Sequence, residues 1–190
     1  MKIWKMNADV NHYAWVRTKE EWSLSKVQMF DGRSFKNTWI QDEIEVQDNK
    51  AALETGDMPL FYTHLPVISN RVKEKIEGLI GEAVEFLPVT KEEEKFWVIN
   101  ILKVLDCVDM DNSLFKKLST GKIIWFTKYE FIPEKIQSEH IFKISNLKLS
   151  LVFVSDVFKK VIEESGFKGF EFTLVWDSET GGVKSEMPLV

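Results

Sequence analysis

A single cysteine, five prolines and nine glycines among 190 residues leave little material for several kinds of protein. The lone Cys107 has no partner for an internal disulfide, which makes the reducing cytoplasm the default compartment. No apolar run approaches the ~20 residues of a membrane span, and the opening MKIWKMNADVNHY lacks the apolar centre of a signal peptide. Arginine is scarce too, with only Arg17, Arg33 and Arg71. The net charge is -5 and is spread evenly along the chain. No basic stripe is there to track a phosphate backbone, so nucleic acid is a poor partner. The one double glycine, Gly181-Gly182, precedes no helix, so there is no phosphate loop of the usual kind. A nucleophile elbow is absent as well.

The residues that remain for chemistry are thinly placed. His12, His64 and His140 share no metal-binding spacing. Asp109-x-Asp111-x-Ser113 opens like a calcium loop, but Leu114 and Thr120 stand where the loop's glycine and closing glutamate belong. Asp106, Asp109 and Asp111 then read as a solvated strand end. Cys107 sits in an apolar run without the basic neighbours that lower a thiol's pKa, which favours a buried structural thiol. The one catalytic grouping worth carrying is a hydrolase-like set of Asp106, Cys107 and His64, brought together only in space. These patterns call for no cofactor and no metal.

What the chain does have is 14 Phe, 7 Trp and 44% hydrophobic residues, enough for a sizeable core. Its clearest stretch is 140–177. Leu149, Leu151 and Phe153 alternate with Ser150, Val152 and Val154 as a strand does. Ser155 offers an N-cap hydroxyl and Asp156 a first-turn charge. Val157, Phe158, Val161 and Ile162 form a helical stripe, Gly166 ends the helix, and Phe170, Phe172, Leu174 and Trp176 alternate in a second strand. Ser69 to Gly81 echoes this unit, with Val72, Ile76, Leu79 and Ile80 as its stripe and VEFLPV after it. Two ordinary capped helices account for the echo more simply than a duplication.

Met1–Met6, 39–46 (Ile40, Ile44 and Val46 on one face), 122–132 and 140–144 read as further strands. Residues 96–108 read as one long central strand with room for a bulge, and the segment 58–69 as an edge segment or loop because of its prolines. Residues 7–35 read as loop with a little strand, and a short helix is expected around Leu114–Leu118. About eight strands and two helices that do not alternate regularly predict an α+β fold. It has a mixed, largely antiparallel sheet and two main amphipathic helices. The polar stretch 48–57 suggests a boundary, giving a β-rich extension over 1–56, a core over 57–177 and a mobile tail over 178–190.

Binding surfaces are the alternative to chemistry. Trp97, Trp125 and Trp176 fall in strand patterns and fill a core, whereas Trp4, Trp15 and Trp22 lie in the less regular part and are candidates for a contact surface. Glu92, Glu93 and Glu94 form an acidic turn; a solvated face is its plainer reading.

VFVSDVFKKVIEESGFKGFEFTLVW at 152–176, IFKI at 141–144, LPVISNRVKEKIEGLIGEAVEFLPV at 65–89 and FWVINILKVLDCVD at 96–109 occur in one order. In that order they resemble the blocks of a bacterial immunity-protein family of polymorphic toxin systems, over residues 57–177. The resemblance implies a non-enzymatic protein that binds and neutralises a cognate toxin and brings no catalytic residues with it; composition and charge, as above, speak against a membrane or nucleic-acid partner. For a basic toxin, Glu92 to Glu94 with Asp109 and Asp111 would supply steering and rim contacts. A small cytoplasmic enzyme, or an adaptor of a secretion or surface pathway, is the rival.

Overall fold

The computed structural model describes residues 1–47, 53–62, 65–147, 149 and 151–185. In chain order its elements are β1 (Lys2–Ala8), β2 (Val16–Thr18), α1 (Leu24–Gln28), β3 (Asp42–Val46), β4 (Val67–Ser69), α2 (Asn70–Ile80), β5 (Val84–Lys91) and β6 (Glu94–Ile101). There follow β7 (Val104–Leu105), β8 (Leu114–Lys117), β9 (Ile123–Lys128), β10 (Ile141–Ile144), β11 (Val152–Ser155), α3 (Asp156–Glu164), β12 (Phe170–Asp177) and β13 (Gly181–Gly182). Among the described residues they make a six-stranded sheet, β13-β12-β1-β11-β10-β7, a five-stranded sheet, β2-β3-β5-β6-β4, and a ribbon of β8 and β9. Strands 3 and 5 run parallel, as do strands 10 and 7; the other pairs are antiparallel. The α+β class fits this mixture of sheets and helices.

The stretch 152–177 folds as the strand, capped helix and strand its pattern predicts, with one exception. A register shift at Val175 breaks the alternation and places Trp176 in a different cluster from Phe170 and Phe172. Ser155 Oγ accepts the Phe158 N–H at 3.3 Å and caps α3, and Gly166 takes a left-handed φ of +66° beyond its end. Phe158 and Ile162 are fully buried, each stabilising the fold by roughly 1.5–3 kcal/mol. Val157, expected on that stripe, is 49% exposed, because the residue next to the cap faces outward.

Strands β11 and β12 are each antiparallel to β1, which lies between them, so the two are parallel and α3 is their crossover. Strands β4 and β5 stand in the same relation about β6, with α2 as crossover. The echo between the two stretches is thus also an echo in topology. Their apolar faces meet in one core, where Val72, Ile76 and Ile80 of α2 pack with Phe158 and Ile162 of α3, with Ile99 and Ile101, and with Val152 and Val154. Two further clusters cover the outer faces. Phe142, Ile144 and Phe153 lie beyond the six-stranded sheet, and Leu87, Val89, Phe96 and Val98 lie beyond the five-stranded one.

Several expectations give way. The run 96–108 is two strands in different sheets. After Ile101 the N–H groups of Leu102 and Lys103 both turn to the Ala83 carbonyl, and β7 joins β10. Residues 114–117 are a strand and not a helix, paired with β9 across two register shifts. Helix α1 forms within 7–35, its N-cap Ser23 accepting from Lys26 N. Ile40 precedes β3 and is 80% exposed. Gly81 stays right-handed at φ -58°, so α2 ends in a turn without a left-handed glycine. From Ser178 to Ser185 the chain is held rather than free. Ser178 N bonds Met1 O, Val183 N bonds Val175 O and Ser185 N bonds Thr127 O, at 2.8–3.0 Å. Residues 186–190 and much of the 48–57 boundary lie outside the described residues.

Candidate interaction surface

The tightest turn in the five-stranded sheet carries the acidic candidates. Lys91 and Glu94 pair across the β5–β6 hairpin, leaving Glu92 and Glu93 as a two-residue loop. Such loops need a positive φ, and Glu92 supplies one at +55° where glycine or asparagine would fit with less strain. Glu92, Glu93 and Glu94 are all exposed.

The pairing of β3 with β5 brings a second acidic strand alongside, through Asp42 opposite Val89 and Glu43 opposite Thr90. Strand β2 adds cations at this edge. Lys19 Nζ donates to Glu43 at 2.5 Å, and Arg17 donates to Glu45 at 2.9 Å. The bond to Glu43, with the fields of Glu43, Glu45 and Glu92, raises the Lys19 pKa. Five carboxylates, Glu43, Glu45, Glu92, Glu93 and Glu94, therefore meet Arg17, Lys19 and Lys91 at one sheet edge. Beside them runs a cleft of about 480 Å³ lined by Arg17, Lys19, Glu21, Phe61 and Tyr62.

The other candidates are not gathered there. Trp22 belongs to the core: it is 6% exposed, stacks on Phe30 at 5.7 Å and gives its indole N–H to Asp42 at 2.8 Å. Lys26 lies 4.2 Å above its ring and bonds the same Asp42. The reason is aromatic density: Trp22, Phe30, Phe35, Trp39 and Phe61 together cover the outer face of the five-stranded sheet. Trp15 is half-buried and its indole donates to the Val10 carbonyl at 3.1 Å. Trp4 is half-buried as well, donating to Asp156 at 2.6 Å.

Asp109 organises its own turn. Its carboxylate accepts from Asp111 N, Asn112 N and Asn112 Nδ2 at 2.7–3.2 Å, and the Asn112 side chain leads the effects that lower its pKa. Asp111 is exposed. This turn adjoins Glu130 and the start of β8 and does not meet Glu92 to Glu94. No group of three His, Cys, Asp or Glu side chains is placed to hold a metal ion among the described residues.

The nucleophile of the hydrolase-like set is inaccessible. Cys107 is fully buried, and burial, with Asp106 beside it, pushes its thiol up to about 12. Asp106 is exposed and His64 lies outside the described residues.

One polar hub escaped the sequence entirely. Asp57, 3% exposed, accepts from Ser69 Oγ at 2.7 Å, Arg71 Nε at 2.6 Å and Lys168 N at 2.8 Å. Ser69 stands at the N-cap of α2, yet its hydroxyl serves Asp57 and makes no cap bond. Only Arg71, one of three arginines, could have drawn attention to this place.

The exposed acidic candidates thus lie on a sheet edge and on turns, and the Cys107 thiol is sealed in the core. The chain belongs to the immunity protein family Imm11, whose pattern it matches over residues 1–177. The match takes in residues 1–56 along with the blocks from 57 onward. No curated protein matches the chain. Among the described residues no helix is long and apolar enough to cross a membrane.

Proposed function

We propose that this chain is a non-enzymatic immunity protein of a bacterial polymorphic toxin system, which neutralises a cognate toxin domain by forming a tight stoichiometric complex in the cytoplasm. The observation that carries this reading is the family match across residues 1–177. On it, residues 57–177 form the binding core, and 1–56 extend it by adding β1 to one sheet and β2 and β3 to the other. Glu92, Glu93 and Glu94, standing with Glu43 and Glu45, steer a basic toxin surface and set partner choice, as rim charges do. Trp15 and Asp111 lie at the margins of that role, and Asp109 holds the turn that presents Asp111.

The test is protection in cells. The toxin domain that this reading expects to be encoded beside this gene is expressed alone and with the chain, and the purified pair is weighed by light scattering. Killing abolished by co-expression, with a 1:1 complex, supports the reading. Undiminished killing with both proteins present overturns it. Reversing charge as E92K/E93K/E94K is expected to lower the association rate and to weaken its dependence on salt.

A further inference from the structure

Residues 113–129, SLFKKLSTGKIIWFTKY, hold four lysines and no acid in a chain of net charge -5. They form β8 and β9, a ribbon joined to neither larger sheet. Its inner side is well seated: Phe115 meets Phe126 edge-on at 5.5 Å, and Phe126 is fully buried among Tyr129, Phe131 and Phe153. Its outer side is not covered. Leu114, Leu118 and Ile124 are 47%, 49% and 43% exposed. Ile124 is the residue that the register passes over, since Lys116 faces Trp125 and Lys117 faces Ile123; such a bulge re-aims a side chain. Lys128 is tied to Glu130 at 2.5 Å, whereas Lys116, Lys117 and Lys122 have no ion pair among the described residues.

Lysines on an open edge discourage pairing with another chain. That role explains the charges. It does not explain three large aliphatic side chains left half in water on one short ribbon, which is the composition of a contact surface. The edges of the two large sheets are strands of two or three residues, so the four residues of β8 are a longer open edge than any of them.

We propose that the β8–β9 ribbon docks an acidic protein surface with an apolar centre. Leu114, Leu118 and Ile124 supply the apolar contact, and Lys116, Lys117 and Lys122 pair with carboxylates around it. The occupant is set by charge: a basic partner would leave these lysines opposed by like charge. Nucleic acid is disfavoured because the ribbon has no arginine and its most exposed apolar side chains are aliphatic, while the half-buried rings of Phe115 and Trp125 lie under the ammonium groups of Lys117 and Lys5. The ribbon packs on the outer face of the six-stranded sheet, away from the acidic edge of the other sheet, and is opposite to it in sign. It is a second surface, distinct from the acidic turn Glu92 to Glu94, although the turn of Asp109 and Asp111 adjoins its start.

The probe is a blocked peptide alternating Glu and Val, with a Lys/Val peptide as control, titrated into the 15N-labelled full chain. Shifts confined to residues 113–128, absent with the control, support the proposal. K116E/K117E/K122E is expected to weaken binding about tenfold or more by removing charge pairs. L118S/I124S, which keeps every charge, should weaken it as well; loss in both variants separates docking from mere attraction. Absence of shifts with the Glu/Val peptide overturns the proposal. So does preferential binding to phosphatidylglycerol vesicles, which would assign the ribbon to a membrane. Self-association in sedimentation that K116E/K117E/K122E abolishes would assign it to a second copy of the chain and likewise overturn it.

Discussion

Arg71 grips Asp57 with two nitrogens, Nε at 2.6 Å and a terminal nitrogen at 2.5 Å, and so ties the start of α2 to the segment before β4, while the Lys168 N–H joins the same carboxylate from the loop before β12. The carboxylate is nearly buried while the guanidinium is largely in water. Burial alone would raise the Asp57 pKa, but Arg71, the Lys168 N–H and Ser69 outweigh it and hold the group below its usual range. A depressed folded pKa means stability that is present above the unfolded value of 3.8 and lost as pH falls through the folded one. Asp57→Asn is expected to cost about 2–3 kcal/mol at pH 7, the worth of charge-assisted bonds. The difference from wild type should shrink below about pH 4. Urea unfolding at pH 7, 5 and 3 checks this; equal losses at every pH would mean that the side chain acts by shape alone.

Lys143 makes the opposite prediction. It is fully buried on β10, where its ammonium donates to the Phe30 carbonyl at 2.9 Å, and burial lowers its pKa to about 8 despite the opposing pull of Asp31. Here the unfolded chain binds the proton more tightly, so this group's penalty is full below pH 8 and is relieved as pH rises towards 10.5. The stability of wild type relative to Lys143→Met should therefore rise by about 3 kcal/mol across that window. Denaturation midpoints of the pair at pH 7, 8, 9 and 10 decide it. A constant gap would show that Lys143 keeps its proton in the fold as it does in the unfolded chain, with no lowering of its pKa.

How much of this was legible depends on how pure each pattern is. The β11–α3–β12 unit is plain in the sequence because its period, cap hydroxyl and left-handed glycine agree with one another. The run 96–108 is opaque for the opposite reason. A strand buried on both faces has no alternation to mark where Leu102 and Lys103 leave one sheet for the other. LFKKL at 114–118 has apolar residues at helical spacing, and only its cross-strand partner 123–128 makes it a strand. Trp22 looked like surface because its stretch has no period, though four other aromatic rings were there to pack on it. The Asp57 hub joins residues up to 111 apart, and nothing local announces such a bond. The acidic turn is visible by composition, while the basic ribbon is masked by the flanking Asp109, Asp111, Glu130 and Glu134, which even out the local charge.

Glu92 gives a test of turn chemistry apart from any partner. Its φ of +55° costs an L-residue about 1 kcal/mol that glycine does not incur. Glu92→Gly should thus stabilise the fold by up to about 1 kcal/mol. If the acidic edge steers a toxin, the same variant should also slow association, so that stability and binding move in opposite directions. A gain in stability with unchanged association would leave the strain without a functional counterpart.

Cys107 separates a core thiol from a catalytic one. The sulfur sits among Phe131, Ile136 and Phe142, fully buried, with its pKa pushed up to about 12 chiefly by burial. The thiolate is the reactive form, so at pH 8 both the buried site and the scarcity of thiolate oppose attack. With an aromatic disulfide reagent in excess, the native chain should release no chromophore on the timescale of minutes, and one equivalent once guanidinium unfolds it. Titrating denaturant, reactivity should appear in step with loss of tryptophan fluorescence, since only global opening exposes this cluster. Rapid labelling of the folded chain would place the thiol in an accessible site and revive the hydrolase-like reading.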